Sequence, residues 1–204
     1  MTTSQNRHEP RKTARQARAK RTVERILAAA ARILKRDGPS KITTNHIAEE
    51  ANISVGSIYQ YFPNKQAILV QLMSQQLDEA MAIRPEALDS EVSLQEHIEA
   101  AVRWHLDVRR DDPLLFQRLF ELQQEVLTHK ERSAFETFHR DSVLRGLTRH
   151  ADEIAIPNLN TASIIVSHFI LATTQSATAS DPTLVSDEDY ESQVVSALLA
   201  YLTG

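Results

Sequence analysis

The sequence predicts an all-α protein of about nine helices, in which three N-terminal helices form a small head and the others form a larger body. Apolar residues recur at helical spacing along almost the whole chain, and no long alternating run of valine, isoleucine and threonine indicates a strand. The 204 residues include only 4 glycines and 7 prolines, so few positions interrupt a helix. With 42% hydrophobic and 25% charged residues, the chain can bury a sizeable core.

The head is predicted to contain three helices with clear end signals. The first spans residues 22–37 and stops at Gly38, which readily adopts the left-handed conformation that ends a helix. The second spans residues 43–51 with a threonine cap, and Asn52 follows it as the best substitute for glycine in a left-handed turn. The third begins at a serine cap and spans residues 54–61, because a proline at position 63 disfavours helix at the residue before it.

The body is predicted to contain six helices. They are expected over residues 64–83, 93–108, 114–129, 131–152, 160–179 and 188–202. Asn64 can cap the first of these, and Ser93 with Glu96 has the spacing of a capping box before the second. Asp112 followed by Pro113 supplies a cap and a proline at the first helical position of the third.

Charge is distributed unevenly along the chain. The overall net charge is −4, yet residues 1–65 carry 13 lysines and arginines against 5 acidic residues, whereas residues 66–204 carry 10 against 22. A basic head on an acidic body predicts that the head meets a polyanion such as a nucleic acid. The alternative is a solvated basic tail without a partner.

The composition also bears on compartment. Cysteine is absent, which excludes disulfides and thiolate chemistry and fits a reducing cytoplasm. The N-terminus lacks the apolar segment of a signal peptide. The most apolar window, residues 162–174, is too short to span a bilayer and contains a histidine and two serines. We therefore expect a soluble cytoplasmic protein with no membrane partner.

The segment "NISVGSIYQYFPNKQAIL", residues 52–69, has an unusual composition for a short helix. Two short helices joined by a tight turn, next to a basic segment, have the layout of a helix-turn-helix. Ile58 and Phe62 lie four residues apart and are expected to face the core. The other side carries small, hydroxyl and amide residues, which allow close approach to DNA and hydrogen bonds to phosphates or base edges. Lys65 opens the next helix, where its ammonium and the backbone N–H groups can hold a phosphate.

A longer pattern makes this interpretation specific. The segment "ILAAAARILKRDGPSKITTNHIAEEANISVGSIYQYFPNKQAIL", residues 26–69, resembles the DNA-binding head of the TetR family of bacterial transcriptional repressors. The matching elements are the I-L-x-A-A start, the Gly38 stop, "TTxxxIAEEA", "SxGSIYxYFxxK" and the following aliphatic pair. The remainder of the chain is similar to that family only in the number and length of its helices.

The resemblance implies a set of DNA contacts. These residues are Thr44, Ser54, Val55, Gly56, Ser57, Tyr59, Gln60, Tyr61 and Lys65. Family members often have lysine at the position of Val55, so one polar contact is expected to be replaced by an apolar one. Asn52 stands where the family usually has glycine, and asparagine tolerates the same backbone conformation.

An N-terminal arm precedes the first predicted helix. Its basic residues are Arg11, Lys12, Arg15, Arg18, Lys20 and Arg21. Arms of this kind in related repressors enter the minor groove or follow phosphates, and Arg18 and Arg21 are the candidates for such contacts. The alternative is a solubilising tail. The expected organisation is a flexible arm at residues 1–20, a DNA-binding domain at residues 21–66, and a ligand-binding and dimerisation domain at residues 67–204.

The body is expected to form a homodimer. One helix-turn-helix reads only a few base pairs, so strong binding usually requires two heads on a palindromic operator. The last two predicted helices are apolar around most of their circumference, and pairing them with their symmetry mates gives a four-helix interface, as the resemblance implies. The candidate interface residues are Ile165, Phe169, Val194, Val195, Leu198 and Leu202. The alternative is that both helices belong to the core of a single chain.

The resemblance further implies a cavity for a small organic effector inside the body, where most of the aromatic residues and histidines occur. The candidate ligand-binding residues are Trp104, His105, Phe116, Phe120, Gln123, Phe138 and His168. A mostly apolar pocket with a few polar groups suits such a ligand. The alternative for each of these residues is ordinary core packing or surface exposure.

Other classes of function have weaker support in the sequence. Glu136 and His139 have the spacing of a di-iron carboxylate motif, but such bundles need two copies and no second copy occurs. There is no HExxH motif and no glycine-rich phosphate loop, so we expect no enzyme, no cofactor and no metal. A metal sensor with scattered histidines, a corepressor-dependent regulator and a helical scaffold that binds protein remain as alternatives, and whether effector releases or promotes DNA binding stays open.

Overall fold

The computed structural model describes the backbone of residues 11–204 and the side chains from residue 16 onward. This part of the chain contains nine α-helices and no strand, as the helical periodicity predicts. The helices are α1 (Arg11–Asp37), α2 (Thr44–Glu50), α3 (Val55–Tyr59), α4 (Lys65–Ala82), α5 (Leu94–Arg110), α6 (Pro113–Val126), α7 (His129–Arg149), α8 (Leu159–Ser180) and α9 (Glu188–Thr203). Over this range no helix is both long enough and apolar enough to cross a membrane.

The chain divides between Leu72 and Met73 into two compact units, which we call the head and the body. The predicted boundary at residues 66 and 67 lies a few positions earlier, near the start of α4. In the head, α1 packs on α2 and α2 packs on α3. The largest fully buried side chains of the head are Ile26, Ile33, Leu34, Ile42, Ile47, Ile58, Ile68 and Leu69.

The predicted end signals of the head helices are present. Thr43 accepts a hydrogen bond from the backbone N–H of His46 at the start of α2. The Asn64 side chain accepts one from the backbone N–H of Ala67, at 2.9 Å, at the start of α4. Gly38 and Asn52 have positive φ values of 80° and 50°, so each ends its helix in the conformation that glycine and asparagine tolerate best.

The start of α1 differs from the prediction. The helix begins at Arg11 instead of near residue 22, so residues 11–20 of the predicted flexible arm belong to a helix. This segment consists of alanine, arginine, lysine and glutamine with one threonine, and most of these residues favour helix. The remainder of the predicted arm, residues 1–10, lies outside the described residues.

Local capping also sets the helix starts in the body. Ser93 and Glu96 form the predicted capping box of α5, and the Asp112 side chain accepts a hydrogen bond from Leu115 N–H at the start of α6. A second capping box, which the sequence analysis missed, joins Thr128 and Glu131. It starts α7 at His129, two residues before the predicted position.

The core of the body contains part of the predicted dimer interface. In this core α7 packs on α8, and α5 packs on both α8 and α9. Four predicted interface residues are buried inside the chain's own core, namely Val194, Val195, Leu198 and Leu202, with exposures of 6% or less. Their side chains therefore pack within one chain. Ile165 is 42% exposed and Phe169 is half-buried, so these two remain at or near the surface.

Candidate functional site

The short helix α3 is held by its own serines. Ser54 caps the helix by accepting a hydrogen bond from the backbone N–H of Ser57 at 3.1 Å. The two serine hydroxyls lie 2.8 Å apart. Val55, half-buried, is the first helical residue, and Gly56 is exposed on the next position. The N-terminal turn of α3 thus has a small-residue surface over which another molecule can approach closely.

The end of α3 divides its side chains between core and surface. Ile58 is fully buried and Phe62 is 7% exposed, as their spacing predicts. Tyr59 is 54% exposed and Tyr61 is 36% exposed, and Gln60 between them is also exposed. Two aromatic rings that contribute little to the core present hydroxyl groups and flat faces to the surroundings.

Two further predicted contact residues flank this surface. The Thr44 hydroxyl, at the start of α2, lies 3.5 Å from the Tyr59 hydroxyl. The start of α2 and the end of α3 therefore meet at this surface. Lys65 is the first residue of α4 and is half-buried. Backbone N–H groups at the start of a helix have no partner within the helix, so the start of α4 is a favourable binding position for a phosphate.

A groove beside α3 brings in basic residues from α1. It is open to solvent and has a volume of about 700 Å³. Its walls are Arg18, Arg21, Thr22 and Arg25 from α1 with Ile53, Ser57, Gln60 and Tyr61 from the turn and α3. The structure therefore brings both predicted arm residues, Arg18 and Arg21, next to the predicted recognition helix. Guanidinium groups along one wall suit phosphate oxygens of a nucleic-acid backbone.

Three arginines that the sequence analysis did not select hold the head together. Arg25 donates to the carbonyl oxygens of Ala51 and Asn52, at 2.6 and 3.2 Å, and so fixes the turn before α3. Arg32 and Arg36 both donate to the Glu50 carboxylate, at 2.7 and 3.0 Å. These hydrogen bonds lower the pKa of Glu50. Because the partners are 14 to 27 residues apart, sequence spacing gave no signal for them.

The body contains a cavity of about 180 Å³ between its helices. Six of the seven predicted ligand-binding residues line it, and these are Trp104, His105, Phe116, Phe120, Gln123 and Phe138. His168 does not, because its Nδ1 bonds to the Ile164 carbonyl on an exposed side of α8. The body portion of α4 contributes Met73, Gln76, Leu77, Ala80 and Met81 to the wall. Trp104 is fixed there by donating its indole N–H to the Ala80 carbonyl at 2.9 Å.

Two neutral histidines form part of the cavity wall. His105 Nε2 and His139 Nε2 lie 2.8 Å apart, and both rings are buried. Burial, together with the smaller effect of the neighbouring positive charge of Arg109, lowers the pKa of His105 to about 3 and that of His139 to about 4. Both imidazoles are therefore neutral at pH 7.

Arg109 is the charged residue of the cavity wall, and the sequence analysis did not select it. Its side chain is only 6% exposed, and its guanidinium carbon lies 4.6 Å from the centre of the Phe116 ring. Burial lowers its pKa to about 10, so the group is positively charged at pH 7. Among the described residues, no cluster of three or more histidine, aspartate or glutamate side chains is arranged to hold a metal ion.

Comparisons with known proteins agree with this arrangement. The family "Bacterial regulatory proteins, tetR family" matches residues 26–72, and "Tetracyclin repressor-like, C-terminal domain" matches residues 93–202. The HTH-type transcriptional regulator YvkB of Bacillus subtilis is 32% identical over 108 residues, 53% of this chain and 57% of that protein. YhgD of the same species is 26% identical over 152 residues, 71% of this chain and 78% of that protein.

A solved structure shows the same fold. SmeT, the repressor of the Stenotrophomonas maltophilia multidrug efflux pump SmeDEF, aligns with a TM-score of 0.68 at 16% identity, covering 89% of this chain and 90% of that chain. SmeT has also been solved as a triclosan complex, which aligns with a TM-score of 0.68 at 17% identity, covering 90% and 92%. The family and these relatives are transcriptional regulators and not enzymes. With both of its units matched, the chain belongs to the TetR family of bacterial regulatory proteins and is a transcriptional regulator with a helix-turn-helix DNA-binding head.

Proposed function

We propose that the protein is a ligand-responsive repressor that binds a palindromic operator as a homodimer and leaves it when a small organic effector enters the body cavity. The observation that carries this proposal is the pairing of an exposed, basic-flanked α3 in the head with an apolar, aromatic-walled cavity in the body. A ligand-responsive repressor needs both features, because its affinity for DNA has to change when a second ligand binds.

The DNA contacts proposed for the head follow the exposed residues of α3 and its neighbours. Tyr59, Gln60 and Tyr61 reach base edges or phosphates, while Gly56 and the serines allow the helix to enter the major groove. Arg18 and Arg21 add phosphate contacts beside it. Val55 supplies an apolar contact where family members often carry lysine.

The homodimer is proposed to form on the exposed face of α8. Ile164 and Ile165 are 45% and 42% exposed, and aliphatic side chains of this size seldom face water side by side without a partner. Phe169, half-buried one turn further on, extends the same face. From Ser196 onward the exposed positions of α9 are small residues, including Ala197 and Ala200, which permit close approach of a symmetry mate.

Coupling between the two functions is proposed to run through α4. This helix begins at Lys65, a proposed phosphate contact, and its later residues line the cavity. If an effector displaces α4, the two recognition helices of the dimer depart from the separation of about 34 Å that successive major grooves require. The relative SmeT, a repressor solved with triclosan, supports this type of regulation.

The test is selection of bound sequences from a random duplex library by the purified protein at moderate salt. The proposal predicts an enriched palindrome whose half-sites lie about one helical turn apart. Binding that falls steeply with salt and enriches no sequence would contradict it, because such binding is electrostatic alone.

A further inference from the structure

The body cavity holds a buried positive charge that the protein itself does not neutralise. Arg109 donates to the carbonyl oxygen of His105, on the previous turn of α5, and its guanidinium lies over the Phe116 ring. Its Nε is buried and has no hydrogen-bond partner. In the described part of the chain, no ion pair joins Arg109 to a carboxylate. An isolated buried charge is strongly unfavourable unless something pairs with it.

The rest of the cavity wall contains no other charge. Its lining comprises apolar and aromatic side chains with three glutamines, two histidines and Arg109, and it includes no aspartate, glutamate or lysine among the described residues. The two histidines are neutral at pH 7, as described above. The Nδ1 of His105 bonds to the Ala101 carbonyl at 2.7 Å, so that nitrogen carries the proton and its Nε2 accepts from His139. Neither imidazole can therefore supply a negative partner for Arg109.

Size and shape restrict what can fill the space. A cavity of about 180 Å³ is little larger than the engineered cavity of about 150 Å³ that holds one benzene molecule. Trp104, Phe116, Phe120, Phe135 and Phe138 offer ring edges and faces to an aromatic ligand. The planar guanidinium matches the two oxygens of a carboxylate better than it matches a neutral group.

We propose that the effector is a small organic acid, with a single aromatic ring in the apolar part of the cavity and a carboxylate paired with Arg109. This inference rests on the proposed function, whose effector class it names. Arg109 is the residue that selects the acid over a neutral analogue of the same shape. A large polyanion is excluded because every other wall of the cavity is apolar or neutral.

The experiment uses phenylacetate and phenylacetamide, which share a ring and differ in charge. Isothermal titration calorimetry at pH 7.5 measures both probes with the full-length protein, with Arg109→Met and with Arg103→Met. Arg103 is the matched control, because it is a largely exposed arginine on the same helix whose partner is Glu191. We expect wild type and Arg103→Met to bind the acid at least about tenfold more tightly than the amide, and Arg109→Met to lose that preference.

Thermal melting of the unliganded proteins provides a second readout. Arg109→Met is expected to melt at the same temperature as wild type or higher, because it removes an uncompensated charge from the interior. A large drop would mean that Arg109 serves the fold. If this variant does not fold, Arg109→Gln takes its place, and the comparison of acid and amide in wild type still decides the preference.

Three outcomes would overturn the inference. The first is equal binding of acid and amide by wild type, the second is a preference that survives in Arg109→Met, and the third is no binding of either probe at millimolar concentration. None of these affects the operator selection, which needs no effector. A failure of the carboxylate assignment is therefore distinguishable from a failure of the regulator proposal.

Discussion

Tyr59, Gln60 and Tyr61 follow one another at the end of α3, and all three side chains are exposed, whereas their neighbours Ile58 and Phe62 are buried. The period of an α-helix separates these two groups, so the core pair could be predicted from spacing alone. The exposed group could be predicted as contact residues from the helix-turn-helix layout and the family resemblance together, because exposure alone does not identify a partner.

Among the proposed contact residues, Gln60 is expected to contribute most clearly to the recognition of the operator sequence. Gln60→Ala removes an amide that is able to bond an adenine edge, and we expect a loss of about 1–3 kcal/mol in operator binding without a change in melting temperature. Fluorescence anisotropy with the selected operator measures it. Gln95→Ala, an exposed glutamine on α5, is the control and should leave the affinity unchanged. If the two variants bind the operator with equal affinity, Gln60 does not contribute to DNA binding.

The buried histidines predict a dependence of stability on pH. The pKa values of His105 and His139 in the folded protein, about 3 and about 4, lie below the ordinary value near 6.5. Between about pH 6.5 and pH 4 the unfolded state therefore binds more protons, and the free energy of unfolding should fall as the pH falls through this window. At pH 5 the expected loss is on the order of 2 kcal/mol for each buried imidazole.

Urea unfolding at pH 7.5 and pH 5, at one protein concentration, tests this expectation. His139→Gln should show a smaller loss than wild type, because one neutral imidazole has been replaced by a group that does not titrate. An unfolding free energy that stays constant between the two pH values would contradict the assignment of both imidazoles as neutral and buried.

Helix ends were the most predictable feature at the scale of elements. Thr43, Ser54, Asn64, Ser93 and Asp112 cap the helices at which the sequence placed them, because capping depends on residues within one turn. The start of α1 was missed because the sequence has no typical N-capping residue type directly before Arg11. Whether α9 packs within its own chain or against a partner could not be predicted, because an apolar face has the same sequence pattern in both cases.

The packing of α7 on α5 depends on a glycine. A methyl group at Gly146 would press into the His97 imidazole, which is itself buried. Gly146→Ala should therefore destabilise the protein by about 1–3 kcal/mol, although alanine favours helix more than glycine does.

Gly56→Ala is the matched comparison for that substitution. The nearest atom to its added methyl group is Ser54 Oγ at 3.8 Å, so it should leave stability unchanged or raise it by up to about 1 kcal/mol. Thermal melting of both variants measures the difference. A Gly146→Ala variant as stable as Gly56→Ala would show that α5 and α7 lie farther apart than the structure places them.

At the scale of the whole molecule, the cavity was only partly predictable from the sequence. Six of its aromatic and polar residues were predicted from the family resemblance, yet Arg109 was not. An arginine near the end of a helix usually interacts with solvent or with the helix dipole, and only the packing of α5 and α6 shows that this one is buried. The charge of the cavity is a property of the tertiary structure.

The dimer proposal also belongs to this scale. Ile165→Asp places a charge on the exposed face of α8, and we expect it to convert the dimer to a monomer, because an unpaired charge at an interface is strongly unfavourable. Sedimentation velocity measures the oligomeric state. Ile83→Asp, at a residue that is 55% exposed, is the control and should leave the dimer intact. A wild-type monomer, or a dimer that persists in Ile165→Asp, would contradict the proposed interface.

The central claim is that α3 recognises the operator sequence. The most direct test is competition between labelled operator and a random duplex of the same length, measured by fluorescence anisotropy at moderate salt. Specific reading by α3 predicts that the operator binds at least about 10³-fold more tightly than the random duplex. It also predicts that Gln60→Ala lowers the ratio of operator affinity to random-duplex affinity, while the affinity for the random duplex stays unchanged. Equal affinity for the two duplexes would contradict the account, because the head would then bind DNA by charge alone.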